Sequence, residues 1–183
     1  KLHIFSVRKQ FPRHCSFAWN GTTVHCLRVP GGMRAASLFW WETLLLQRSL
    51  REIRPDLVHA WGTERGAALV GSRLGCPYLV TMQGLLEWYL QHVDLGRVVR
   101  LEAQLERRAL RRAAVVTTES TFAVRWLREH YPHLEVRQVE HAPGWRFHRL
   151  ERRPETQPIR FLCVAPISEI KGGDLLLGAL DRL

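Results

Sequence analysis

Lysine is nearly absent: the chain carries three, Lys1, Lys9 and Lys171, against 24 arginines. A base written as lysine therefore stands out. Cysteine is sparse and scattered. Cys15, Cys26, Cys76 and Cys163 lie far apart with no Cys-x-x-Cys pair, a pattern that fits neither a zinc ribbon nor a disulfide scaffold and reads as four reduced thiols in a cytosolic protein. No apolar run approaches the ~20 residues of a transmembrane helix. There is no signal peptide, low-complexity tract or internal repeat. The nine histidines have no acidic or cysteine companions at ligand spacing, so no metal site is expected. The arginines come without a zinc-finger, homeodomain or aromatic-basic RNA-binding signature, and nucleic acid is not an expected partner. An initiator methionine is missing too. The chain opens on Lys1 beside a strand-like run and closes on Leu183 within a helix-like one, so both ends read as cut.

What is present is an ordinary globular composition, 46% hydrophobic and 24% charged over 183 residues. That length suits one sizeable domain, or one domain and part of another. The formal charge of +10 suits phosphate-bearing substrates or an anionic membrane surface, although an arginine-rich codon usage accounts for part of it.

Strand-like runs recur at residues 2–7, 23–29, 56–60, 78–82, 114–118, 135–139 and 159–165, with helix-like stretches between most of them. Residues 36–53 are leucine-rich and end before Pro55, which cannot continue a helix. Residues 64–74 end before Gly75, and residues 120–130 start on Ser120, a good N-cap. A mobile-looking segment precedes the helix predicted over 97–112. Alternation of this kind implies parallel strands with helical crossovers, an α/β Rossmann-like sheet whose ligands sit beyond the carboxyl ends of the strands. Residues 148–158 are charged, carry Pro154 and Pro158 and have no apolar period, so they read as a linker. The expected organisation is a Rossmann-like domain over 1–147 that lacks its N-terminal strand, the linker 148–158, and over 159–183 the first strand–helix unit of a second such domain, cut short.

Three strand ends carry the chemistry. At Trp61-Gly62-Thr63-Glu64, glycine permits close backbone approach, threonine can cap the next helix, and Glu64 places negative charge at that helix's positive end. Capping and packing alone would also explain this set. At Gln83-Gly84, an amide can bond a hydroxyl but cannot carry a proton. At Thr118-Glu119-Ser120, a helix N-terminus faces the same edge, and simple N-capping explains most of it. Residues 97–112 hold six arginines (97, 100, 107, 108, 111 and 112), with Val98, Leu101, Leu105 and Ala109 on one helical face. They predict a core-facing helix with a basic outer surface, or an interfacial helix drawn to anionic lipid headgroups. Lys171-Gly172 closes the series, a compact ammonium on a long stem just before a helix.

"RPDLVHAWGTERG", "PYLVTMQGL", "AVVTTES", "VEHAPGWRF" and "FLCVAPISEIKGGDLLLGAL", in that order and spacing over roughly residues 50–183, resemble the retaining glycosyltransferases of family 4. The resemblance implies the GT-B architecture, two Rossmann-like domains facing across a cleft, with the acceptor in the first and a nucleoside-diphosphate sugar in the second. It implies acceptor or sugar contacts at Trp61, Gly62, Glu64, Gln83, Gly84, Glu119 and Ser120, and a grip on the donor diphosphate at Lys171 and Gly172. It implies no metal or other cofactor, and it names no catalytic residue here. The acceptor it implies is a sugar or lipid-linked hydroxyl, and the place is the cytoplasm or the inner face of the membrane, reached through 97–112. Departures are visible. Gln83 stands where relatives carry His, and Pro166 stands where they carry the Arg that partners the lysine. Relatives begin with a strand and a Gly-rich loop, which here has a counterpart only in Val29-Pro30-Gly31-Gly32. Their Glu-x7-Glu element would lie beyond Leu183. The other expected reading is a non-catalytic Rossmann-like module that binds an anionic sugar or partner without turnover.

Overall fold

A computed structural model describes residues 1–32, 34, 37–142, 144, 162–165, 167–168 and 171–182, and divides into two compact units, Lys1–Ala142 and Pro143–Leu183. In the first unit, strands β4 (Val58–Trp61), β5 (Tyr78–Met82), β6 (Val115–Thr118) and β7 (Val136–Gln138) form a four-stranded parallel sheet in that order. Val80, Met82 and Val116 are almost wholly buried, as strands covered on both faces must be. The covering helices are α1 (Trp40–Ile53), α2 (Ala67–Gly71), α3 (Leu86–His92), α4 (Gly96–Leu110) and α5 (Thr121–His130). They contribute Leu46, Ala68, Leu69, Leu105, Leu110 and Leu127 to the core. The Tyr78 hydroxyl donates to the Ala109 carbonyl and locks α4 to β5. This is the Rossmann-like α/β arrangement that the alternation implied.

A second sheet of three strands has the order β1 (His3–Arg8), β3 (Thr22–Arg28), β2 (Cys15–Trp19), with β1 parallel and β2 antiparallel to β3. β2 was not expected. Its signal was the turn Asn20-Gly21, whose two positive φ angles (46° and 75°) make the tight connection between Trp19 and Thr22.

Other boundaries shift for local reasons. The helix expected over 64–74 is a 3-10 turn, Glu64–Gly66, followed by α2. Arg65 and Gly66 are left-handed there (φ 54° and 79°), and a Cβ on Gly66 would fall inside the Phe39 ring at the start of α1. Close packing of Phe39 on bare backbone imposes the kink. The segment that read as mobile before 97 contains α3, anchored by buried Leu86. In the second unit, α6 (Gly173–Leu180) begins after Gly172 (φ 70°), and the N–H groups of Lys171 and Gly173 both donate to the Ser168 carbonyl (3.0 and 2.9 Å). Leu162–Ala165, the described part of the strand expected over 159–165, is not a strand, and Leu162 and Val164 are exposed. Among the described residues they have no neighbouring strand to pair with, and a lone strand is not stable. The expected linker 148–158 and Pro166 lie outside the described residues.

Candidate functional site

Because β4–β7 are parallel, the loops after β4, β5 and β6 leave from one edge of the sheet. Gly62 continues the β4 ladder, donating to the Thr81 carbonyl (2.8 Å), then turns with φ 83°. The turn lets Glu64 fold back over its own loop. A Cβ on Gly62 would lie 2.7 Å from Glu64 Oε2 and 3.7 Å from Gln83 Oε1, and one on Gly84 would lie 3.7 Å from Glu64 Oε1. Gly62, Glu64, Gln83 and Gly84 therefore form one cluster, in which two bare backbones make room for a carboxylate. Beside it the Trp61 ring, 54% exposed, stacks on His141 with centroids 4.9 Å apart, and His141 Nδ1 lies 3.0 Å from Glu119 Oε1. Trp61 and Glu119 are thus joined through a residue past β7. Ser120 takes another role: its Oγ accepts from the Ala123 N–H (3.1 Å), the N-cap of α5.

Thr63 was expected to cap the following helix and does not. Its hydroxyl donates to the carboxyl of Glu106, which reaches up from α4 and is almost wholly buried. Glu106 also accepts from the Leu86 N–H at the start of α3. One carboxyl therefore braces the loop carrying Trp61–Glu64 and the loop carrying Gln83–Gly84. Desolvation pushes its pKa up to about 8; Thr63 and the Leu86 N–H oppose that shift, while the nearby Glu64 and Glu87 charges add to it. It is the kind of group that holds a proton at neutral pH. Beneath the loops a hydroxyl chain crosses three strands, His59 Nε2 to Thr81 Oγ1 (2.7 Å) and Thr81 Oγ1 to Thr117 Oγ1 (2.7 Å). Burial lowers the His59 pKa, which favours the neutral ring.

Sequence reasoning missed Glu106 and His141. Glu106 reads as one acid among the arginines of α4, and only its burial singles it out. His141 lies within "VEHAPGWRF", a stretch that marked the resemblance without giving this residue a role.

The apolar face expected on α4 is corrected by the packing. Ala103, Leu105, Ala109 and Leu110 are buried, whereas Val98 and Leu101 are exposed among arginines. Arg100 pairs with Asp94 (3.0 Å) and Arg107 with Glu87, whose other oxygen accepts from the Tyr131 hydroxyl (2.6 Å). No described helix is long and apolar enough to cross a membrane. Lys171 and Gly172 form the left-handed turn into α6, with the Lys171 side chain exposed, and belong to the other unit.

No curated protein matches the chain. The family model for Glycosyltransferase Family 4 matches residues 3–155, which span β1 to β7 and every residue of the strand-end cluster. The chain belongs to glycosyltransferase family 4.

Proposed function

We propose that the 1–142 unit is the acceptor-binding half of a GT-B enzyme that moves a sugar from a nucleoside diphosphate to a hydroxyl acceptor with retention. The observation that carries this is the half-exposed Trp61 ring, held by His141 at the rim of a polar cluster. A pyranose ring has C–H faces that pack on an aromatic plane and a rim of hydroxyls that donate to carboxylates and amides. Trp61 supplies the plane, and Glu64, Gln83 and Glu119 supply the acceptors for those hydroxyls. Gly62 and Gly84 let the substrate approach backbone. Gln83 carries no proton, so its part is binding and orientation.

The donor half of the reading rests on Lys171 and Gly172, which precede a helix N-terminus, a place that favours phosphate oxygens. The Lys171 ammonium follows the diphosphate as negative charge grows on the leaving group. The exposed stripe Arg97, Leu101 and Arg108 of α4, continued by Arg111 just past its end and with Val98 at its side, suits an anionic bilayer at the cytoplasmic face.

Steady-state kinetics of the natural full-length protein test the acceptor assignment. Trp61→Ala and Gln83→Ala raise acceptor KM by about tenfold or more, ~1.4 kcal/mol each, while donor KM holds. An unchanged acceptor KM, or a rise confined to the donor, overturns the assignment. Sugar binding without turnover in the unmutated protein would make it a non-catalytic module.

A further inference from the structure

The hairpin of the smaller sheet brings together two of the four cysteines that are scattered in the sequence. Cys15 of β2 lies directly opposite Cys26 of β3 in the antiparallel register. Both are free thiols, Cys15 exposed and Cys26 half-buried. Residues directly opposite on two strands project to the same face of a sheet. There the two thiols are hydrogen-bonded to each other. Cys76 instead bonds the Leu74 carbonyl (3.8 Å), and Cys163 belongs to the other unit.

The ladder sets the spacing of the pair. Thr23 and Val29 donate to the Leu2 and Arg8 carbonyls of β1, so odd-numbered residues of β3 bond β1 and even-numbered ones bond β2. Cys26 and Cys15 are therefore a hydrogen-bonded pair, a position where Cα atoms stand about 5.5 Å apart. That falls inside the roughly 4.4–6.8 Å over which two cysteines can be bridged. The Cβ atoms of opposed residues start ~4.5–5.5 Å apart, against about 3.8 Å in a relaxed disulfide. A bridge here draws the strands together and stays strained, which makes it easy to reduce. β2 can make that movement, because it is an edge strand, exposed along its whole length and bonded to β3 alone.

The two sulfurs differ in access and in proton affinity. Burial, the neighbouring Cys15 charge and the hydrogen bond to Cys15 all raise the Cys26 thiol above its ordinary pKa. Cys15, the exposed partner, is the one a reagent meets first. Arg13, His14 and Arg28 flank the pair, and the Arg28 N–H donates to His14 Nδ1 (3.2 Å). Basic ground of this kind suits an anionic reagent.

We propose that Cys15 and Cys26 form a modification site, oxidised by a low-molecular-weight disulfide of the glutathione class to a reversible cross-strand bridge. The Cys15 thiolate attacks one sulfur of the reagent, whose S–S bond breaks and releases one glutathione thiolate. Cys26 then gives up its proton and attacks the Cys15 sulfur of the mixed disulfide, expelling the second glutathione. The two protein thiols lose two electrons and two protons in all, and one glutathione disulfide becomes two glutathione thiols. The bridge clamps the edge strand β2 to β3, the strand that carries β1 on its other side.

Trypsin cuts after Arg13 and Arg28 and leaves both cysteines, and no other, in the peptide 14–28. Mass spectrometry of that peptide tests the proposal. The natural full-length protein is reduced, freed of reductant, treated with glutathione disulfide and alkylated at its remaining thiols under denaturing conditions before digestion. Peptide 14–28 then carries no alkyl group and is lighter by two hydrogens than its reduced form, and excess reduced glutathione reverses the change. In Cys26→Ser the reaction stops at a glutathione adduct on Cys15, and in Cys15→Ser no bridge forms. A lasting glutathione adduct on Cys15 of the unmutated protein, two copies of the peptide joined to each other, or both cysteines left free would each overturn the proposal. So would a bridge that resists excess reduced glutathione, because it would then be a permanent structural disulfide.

Discussion

Glu106 shows how one buried side chain can hold a binding edge in place. Its carboxyl receives the Thr63 hydroxyl and the Leu86 N–H, and so ties two site loops to α4. Its proton carries a signed consequence. The folded-state pKa of about 8 lies above the ordinary value of 4.5, so the native state binds more protons than the unfolded state between those limits. Stability contributed by this group is full at low pH and falls as pH rises through that window, by at most ~1.4 kcal/mol per unit. Glu106→Gln keeps a neutral group of the same shape. Thermal unfolding between pH 5 and 9 therefore shows a shallower loss of Tm in the variant than in the parent, and parallel curves would show that Glu106 titrates normally. Glu106→Ala removes the brace and raises acceptor KM. From sequence, Trp61, Gly62, Glu64, Gln83, Gly84 and Glu119 could be singled out because each follows a short apolar run. Glu106 was not, because helix periodicity cannot say which glutamate faces inward.

At the scale of elements, α4 presents two unlike faces. Ala103, Leu105, Ala109 and Leu110 close on the sheet, while Arg97, Leu101 and Arg108, continued by Arg111 just past its end, form an outward stripe. Of the outward arginines, Arg100 and Arg107 have carboxylate partners at the surface, contacts worth little against salt. Each remaining arginine near an anionic bilayer contributes ~1 kcal/mol, within a Debye length of about 8 Å at physiological salt. The natural protein therefore co-sediments with phosphatidylserine-containing vesicles at low salt, leaves them at high salt and ignores neutral vesicles. Arg97→Glu with Arg108→Glu abolishes the retention without touching the buried face. Equal sedimentation with both vesicle types would return the stripe to an ordinary solvated surface. Val98 and Leu101 illustrate a limit of periodicity: the pattern allowed either a wide core face or an apolar seam among charges, and only the neighbouring elements chose.

For the whole molecule, two units divide the labour proposed here. Lys171 is the one lysine at a helix start, and in the proposed role its loss removes a preorganised charge from the developing diphosphate. Lys171→Ala in the full-length protein lowers kcat by roughly 10²–10³, the ~2.7–4 kcal/mol of one such group, with a smaller change in donor KM. Near-native kcat would make Lys171 a surface base.

The sequence by itself determined the strand–helix alternation, and with it the expectation of parallel strands joined by helical crossovers, and it marked the strand-end residues. These follow from local apolar runs, caps and breakers such as Pro55 and Ser120, which act over a few residues. It also held the hairpin signal of Asn20-Gly21, whose φ angles are a local property. Only the tertiary structure decided that Glu64 lies across Gly62 and Gly84, that Trp61 and Glu119 meet through His141, and that Glu106 is buried between two loops. Apart from Glu64 with Gly62, those contacts join residues separated by 20 to 80 positions and depend on how helices cross a sheet.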